Sequence, residues 1–322
     1  MGRYIAKRLL MLIPIVMVIT LLAFALLYAA GGDAVTMLLE NQGVTVSQEL
    51  IDAKRTELGL DRPFFVQYFD WLGGFLTGDL GQSYVSGEDV SATIASKLPA
   101  TIVLCCTSVA ATILISVPLG ILTAVKQNKA IDYIVRALSF IGNSLPGFFV
   151  GLLLILVFSV NLGWLPSMSS SYGATGLASL SVEGTIMPTA TLALAMSSKY
   201  IRQIRAAVLD ELDKPYVQGL RARGVTESKV LFKNVLKCCM TTVITLLALS
   251  IGDLLGGTAI VETIFQWDGV GKLAVDSISM RDNPMVLAYV AMMAIIYVVV
   301  NLIADIVCHK VDPRVSMGGD AE

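Results

Sequence analysis

Lys199-Tyr200-Ile201-Arg202-Gln203-Ile204-Arg205, Asp210-Glu211-Leu212-Asp213-Lys214-Pro215-Tyr216 and Leu220-Arg221-Ala222-Arg223-Gly224-Val225-Thr226-Glu227-Ser228-Lys229 belong to one polar stretch, residues 199–237, set between two long apolar segments. Nine of the chain's 23 lysines and arginines fall in it. Basic charge concentrated between apolar segments and punctuated by proline and glycine marks a cytoplasmic surface that can dock a soluble partner. Pro215 has the fixed φ of a first helical turn, and Asp213 just ahead offers a carboxylate to the exposed amides. Gly224 is a natural left-handed stop, and Thr226 with acidic Glu227 restarts a second helix. A short helix joined by a tight turn to a membrane helix obliges the two to move together.

The membrane reading follows from 55% apolar residues, only 15% charged residues and a mean hydropathy of +0.75, far from soluble domains. Six stretches have the roughly 20-residue length that a helix needs to cross about 30 Å of hydrocarbon. They lie at residues 9–30, 101–125, 134–160, 186–204, 239–261 and 285–308. The fourth is interrupted by Ser197, Ser198 and Lys199. The first follows Arg3, Lys7 and Arg8 like a signal peptide, but its apolar run exceeds the usual 7–15 residues and no small-residue cleavage site follows, so it reads as a span. With the N-terminus inside, the inner segments carry 3, 3, 9 and 2 basic residues and the outer ones 4, 0 and 2. Both termini are then cytoplasmic. The expected fold is all-α, a polytopic membrane protein with six transmembrane helices. Its parts are an N-terminal span (1–30), an extracytoplasmic cap (31–99), a five-helix core (100–310) carrying the loop 199–237, and a cytoplasmic tail (311–322).

The cap has its own punctuation. Thr45-Val46-Ser47-Gln48 fits a capping box and Gly59 suits the stop of the helix it opens. Asp61-Arg62-Pro63 starts a second amphipathic stretch, Phe64-Phe65-Val66-Gln67-Tyr68-Phe69-Asp70-Trp71-Leu72, whose aromatics suit a membrane interface. Contact with a solute receptor and a lid packed on its own bundle are both open for this segment.

Polar groups inside spans are candidates for a translocation path. Gly142-Asn143-Ser144-Leu145-Pro146-Gly147 interrupts the third span, which costs free energy in lipid unless protein or water satisfies the freed backbone. It is either a pore-lining kink, with Asn143, Ser144 and Pro146 facing the path, or a packing kink. Asp253, beside Gly252, Gly256 and Gly257 in the fifth span, either lines the path or bonds between helices; Glu262 lies at that span's outer end.

Here the chain resembles the permease subunits of binding-protein-dependent ABC importers of the dipeptide, oligopeptide and nickel group. Tyr216, Arg221-Ala222-Arg223 and Gly224 match the signature of their cytoplasmic loop. The resemblance runs through Leu58-Gly59-Leu60-Asp61-Arg62-Pro63, Gly78-Asp79-Leu80-Gly81-Gln82-Ser83, Gly163-Trp164-Leu165-Pro166, Val261-Glu262-Thr263-Ile264-Phe265, Arg281-Asp282 with Pro284, and Asp312-Pro313-Arg314. Departures are Gly219 and Leu220 where small residues are usual, Thr242 and Asp268 where proline is usual, and Ala34 after Gly32-Asp33. The resemblance implies the type I ABC importer permease fold in the inner membrane and a coupling role for Tyr216, Arg221, Ala222, Arg223, Gly224 and Glu227. It also implies four partners besides the lipid bilayer: two ABC ATPase subunits, a second homologous permease and an extracytoplasmic solute-binding protein. The stretches 34–43 and 210–212 look closer to the nickel and metal-chelate branch, with peptide as the alternative cargo.

Other residues limit the function classes. The chain lacks a Gly-x-x-x-x-Gly-Lys-Ser/Thr phosphate loop; Gly269-Val270-Gly271-Lys272-Leu273 has neither the spacing nor the hydroxyl, so ATP hydrolysis belongs to separate subunits and no cofactor is expected. A net charge of −2 argues against nucleic acid. Cys105 and Cys106 point about 100° apart on a helix and do not chelate one ion, and the single histidine, His309, reads as an interfacial cation. The five cysteines lie in or beside spans, as small apolar helix residues do. A secondary transporter calls for inverted repeats and several embedded ionisable residues, and a membrane enzyme for convergent catalytic groups. Neither pattern is present.

Overall fold

The computed structural model describes residues 2–30, 48–169 and 175–311. Among them the fold is helical, with an isolated antiparallel bridge between Gln82 and Asp89. α1 (Gly2–Ala29) is followed by α2 (Gln48–Glu57) and α3 (Phe64–Thr77). Then come α4 (Val90–Val125), α5 (Ala130–Ser144), α6 (Gly147–Leu154) with a π-type turn over Ile155–Asn161, a 3-10 turn at Gly176–Ser179 and α7 (Val182–Leu212). The polar stretch 199–237 then continues with α8 (Pro215–Ala222), α9 (Glu227–Lys229) and a second π-type stretch, Val230–Val235. α10 (Leu236–Ile264), α11 (Val270–Ser279) and α12 (Asn283–Val311) complete the chain.

Local chemistry sets these boundaries. Asp89 Oδ1 accepts from Ala92 N at 2.7 Å and Ser181 Oγ from Gly184 N at 3.0 Å, so α4 and α7 begin where a side chain satisfies a free amide. Gly78 takes φ +86° and closes α3. Gly59 also has positive φ, +69°, just beyond α2. Of the capping box expected ahead of α2, residues 45–47 lie outside the described residues.

Among the described residues three helices are long and apolar enough to cross a membrane by length and composition: Tyr4–Ala29, Val90–Val125 and Asn283–Val307. The third expected span departs from the sequence reading. Rather than one kinked helix it is two, Ala130–Ser144 and Gly147–Asn161, set at 103° to each other. The cause is local. Pro146 disfavours the helical conformation at its predecessor, and Leu145 is extended (φ −84°, ψ 134°), as is Pro146 itself (φ −58°, ψ 136°). At 31 and 29 residues, α7 and α10 outrun the stretches read from the sequence and exceed about 40 Å in length.

α7 forms the axis of the core and packs most extensively on α4. Gly120 permits this approach: a Cβ there would lie 2.8 Å from Ile204 Cγ2 and 3.2 Å from the Ile201 carbonyl. Two apolar clusters sit at opposite ends of the bundle. One gathers Ala100, Leu104, Met187, Leu192, Leu254, Val261, Phe265 and Trp267; the other gathers Tyr200, Ile204, Val208, Val217, Val230, Val235, Cys239 and Val243. α1 lies against α12, with Arg8 Nη2 and Tyr4 Oη both on Asp305 Oδ2 at 3.0 and 2.7 Å.

Candidate functional site

The polar stretch that opened the sequence reading folds into a compact block. Pro215 is the first residue of α8, as expected, but the capping position is Lys214, whose backbone is extended, and no side chain caps the helix. Asp213 instead ends α7 in a helical conformation and makes no capping bond to the α8 amides. α8 stops at Gly224, where φ is +74°. Gly224 N donates to the Arg221 carbonyl at 2.9 Å and Val225 N to the Leu220 carbonyl at 3.1 Å, so the turn satisfies two carbonyls that the helix end leaves free. Thr226 stands at the extended position before α9 without a side-chain cap.

Each expected coupling residue has a defined place in this block. Tyr216 Oη donates to Glu211 Oε1 at 2.9 Å and Lys214 Nζ to Glu211 Oε2 at 2.6 Å, which ties the first turn of α8 to the end of α7. Burial works against the charge on Glu211, yet the Lys214 and Tyr216 bonds hold its pKa below the ordinary glutamate value. Burial and the Glu211 bond push the Tyr216 phenol up. Arg221 grips Glu227 through Nε at 2.7 Å and Nη2 at 3.2 Å across the Gly224 turn. Ala222 is the last residue of α8, and Arg223 is exposed. Beneath them Val217 is fully buried among Val208, Val230 and Val235, so α8 is fastened by apolar contact to both α7 and the stretch that runs into α10.

α7 and α10 also wall a cavity of about 320 Å³ between the two apolar clusters. Its lining includes Asn143, Gly147 and Phe148 at the α5–α6 break, Thr191, Met196, Lys199 and Tyr200 of α7, and Leu254, Gly257, Ile260 and Val261 of α10. Of the residues expected on the path, Asn143 is therefore on the cavity wall. Ser144 bonds back to the Phe140 carbonyl at 2.9 Å, Pro146 begins α6, and neither is among the lining residues. The Asp253 side chain lies outside the described residues, although α10 runs through its position.

Glu262 is fully buried above the cavity and joins three helices. Its Oε1 accepts from Thr101 Oγ1 of α4 at 2.7 Å and its Oε2 from Lys272 N of α11 at 2.8 Å. Thr101 Oγ1 accepts in turn from Val270 N at 2.9 Å, and Trp267 Nε1 donates to the Ala100 carbonyl at 3.1 Å. This end is bound further by Asp268, which takes Lys97 of α4 on one oxygen and Gly176 N on the other. Burial opposes the Asp268 charge, but Lys97 and Gly176 keep its pKa below the usual carboxylate range. Sequence reasoning passed over Thr191, Met196, Lys199 and Tyr200 as wall residues; the signal was the polar interruption at 197–199, read there only as a weakness in a span.

The chain matches two family descriptions in tandem: "Binding-prot-dependent transport system membrane comp, N-term" over residues 1–105 and "Binding-protein-dependent transport system inner membrane component" over residues 116–317. It is 40% identical to the oligopeptide transport system permease protein AppB of Bacillus subtilis (strain 168) over 324 residues, covering 98% of this chain and 99% of that one. It is 34% identical to the glutathione transport system permease protein GsiC of Escherichia coli (strain K12) over 315 residues, covering 98% and 99%. Both names carry peptide cargo, whereas the sequence reading leaned toward nickel. Among solved structures, an inward-facing form of the MetNI methionine ABC transporter aligns with a TM-score of 0.54 at 17% identity, over 68% of this chain and 96% of that one, a likeness of fold. The chain is thus a member of the binding-protein-dependent transport system inner membrane component family, an ABC importer permease.

Proposed function

We propose that the chain forms the translocation path of an ATP-driven importer of short peptides, by alternating access. The observation that carries this reading is that α7 and α10 serve two places at once. Both wall the 320 Å³ cavity, and the apolar cluster around Val217 fastens both to α8. Force applied to α8 by a soluble ATPase therefore reaches the cavity walls without a flexible link. Two ATPase subunits, a second homologous permease and an extracytoplasmic solute-binding protein complete the transporter in this proposal, with six spans and both termini in the cytoplasm.

Peptide is favoured over nickel by the names of the full-length relatives and by the wall chemistry. Asn143, Lys199 and Tyr200 bring an amide, an ammonium and a phenol to a largely apolar cavity, groups suited to peptide amides and a terminal carboxylate. The transporter, co-expressed with its genomic neighbours and reconstituted in proteoliposomes, should take up a labelled tripeptide only with ATP inside and receptor outside. Saturating nickel should leave that uptake unchanged. Receptor-dependent uptake of ⁶³Ni without peptide uptake would reverse the assignment of cargo.

A further inference from the structure

α3 belongs to the segment read as an external cap, but its contacts follow α1 down from its outer end. Phe64 packs on Tyr28 and Phe24 with ring centroids 5.2 and 5.0 Å apart. One turn on, Tyr68 meets Phe24 at 5.8 Å, and its hydroxyl donates to the Met17 carbonyl at 3.0 Å beside Thr20 Oγ1 at 3.1 Å. From Tyr28 to Met17 is about 16 Å of helix. Trp71 and Phe75 then pack with Val16, Ala291 and Ala294 of the α1–α12 pair. α1 over Tyr4–Ala29 is the most apolar of the candidate spans, with a hydropathy of 2.9, so a helix that follows it down to Met17 shares its surroundings.

The α3 side chains divide into three sectors at about 100° per residue. Phe64, Tyr68, Trp71, Leu72 and Phe75 fall within about 100° of arc and pack on α1 and α12. Gln67, Asp70 and Gly74 form a polar edge on an outer cavity of about 350 Å³, where Arg62 Nη1 pairs with Asp70 Oδ2 at 2.9 Å. Phe65, Phe69 and Leu76 lie within about 40° of one another on the third side. They are 63%, 58% and 75% exposed. α1, along which α3 packs, is itself exposed over apolar residues: Val18, Leu22 and Leu26 are exposed by 56%, 59% and 71%.

We infer that α3 is a half-inserted helix of the outer leaflet, whose Phe65, Phe69 and Leu76 stripe contacts lipid acyl chains while its Gln67–Asp70 edge faces water. An exposed apolar face on a helix that packs along a span has the lipid that surrounds the span as its partner. The inference rests on α1 being a membrane span; it does not depend on the cargo.

The test uses the assembled transporter in lipid nanodiscs, with all native cysteines replaced and a nitroxide placed singly at Phe65→Cys, Phe69→Cys or Asp70→Cys. Collision with oxygen, which partitions into lipid, is compared with collision with a water-soluble nickel chelate. The oxygen-to-chelate ratio should be several-fold higher at positions 65 and 69 than at the neighbouring position 70. Equal ratios at 69 and 70 would overturn the inference, as would a loss of oxygen collisions at 65 and 69 when the solute-binding protein is added, which would make the stripe a receptor surface. A label at Leu22→Cys, on α1 itself, separates the two premises. Low oxygen access there would mean that α1 does not span, whereas high access at 22 with low access at 69 refutes the insertion of α3 alone.

Discussion

Gly224→Val isolates the turn that joins α8 to α9. The site is open at the first side-chain atom: a Cβ built on Gly224 meets no atom within 4 Å. What it does meet is a backbone at φ +74°. An ordinary L-residue held in the left-handed region costs roughly 1–2 kcal/mol, with a β-branched side chain at or above the top of that range. Alanine at 224 should therefore shift the local equilibrium by about tenfold and valine by more. The chain can relieve the strain by opening the turn, which gives up the Gly224 and Val225 amide bonds and misaligns Arg221 with Glu227. Gly219 is the control. It also has no atom within 4 Å of an added Cβ, but it sits inside α8 without positive φ, so Gly219→Ala should be neutral or stabilise by about 0.5–1 kcal/mol. The assay is the ratio of peptide imported to ATP hydrolysed in proteoliposomes, together with retention of the ATPases on purification. Gly219→Ala should keep the wild-type ratio, and Gly224→Val should lower it or release the ATPases. An assembled Gly224→Val complex with wild-type coupling would refute the claim that this turn transmits force.

Three further outcomes follow from the geometry. The Glu211 pKa lies below the ordinary glutamate value, so its contribution to holding α8 is complete above that ordinary value and is lost as pH falls through the lower folded value. Amide exchange of residues 217–222, corrected for intrinsic rates, should be protected evenly from pH 7 to 5 and lose protection at more acid pH. Glu211→Gln should be less protected at pH 7 and indifferent to the acid step; identical profiles would exclude Glu211 as the anchor. Asp268→Asn should lower the thermal midpoint, because Lys97, whose side chain is 19% exposed, then faces a neutral amide at a cost of about 1–3 kcal/mol. Lys97→Met added to it should recover part of that loss, and strict additivity of the two changes would mean the pair is not coupled. Single cysteines at Glu183 and Ser228 in a cysteine-free background should label from opposite faces of the membrane, and labelling of both from one face would sink the proposed topology.

The helices and the α8 turn were legible because each depends on neighbours in sequence. Apolar length marked the long helices, Pro215 set the start of α8 and the Gly224 φ ended it. The charge pairs were not legible. Lys97 and Asp268 are 171 residues apart and Thr101 and Glu262 161, and nothing local in either partner announces the other. Asp268 was visible only as a departure from a usual proline; its role came with the Lys97 and Gly176 contacts. The aromatics of α3 pointed both toward a membrane interface and toward a receptor, since composition reports that a face is apolar without saying what covers it.

The cavity shows most clearly where a reading from sequence stops. Two irregularities mark the relevant spans, Gly142-Asn143-Ser144-Leu145-Pro146-Gly147 in one and Ser197-Ser198-Lys199 in the other, and each by itself is a span interrupted by polar or helix-breaking residues. In the fold they face each other. A Cβ on Gly142 would collide with Ser198 Oγ, so glycine at 142 is what lets α5 approach α7 at its polar turn. Ser198 Oγ donates to the Leu194 carbonyl at 2.9 Å, which satisfies the hydroxyl within its own helix at that close contact. One position on from each contact residue, Asn143 and Lys199 reach the cavity wall. A single interruption in a span is an energetic liability with no assigned use. Two that meet across a glycine, with an amide and an ammonium beside them on one wall, form a polar lining that neither segment could build alone.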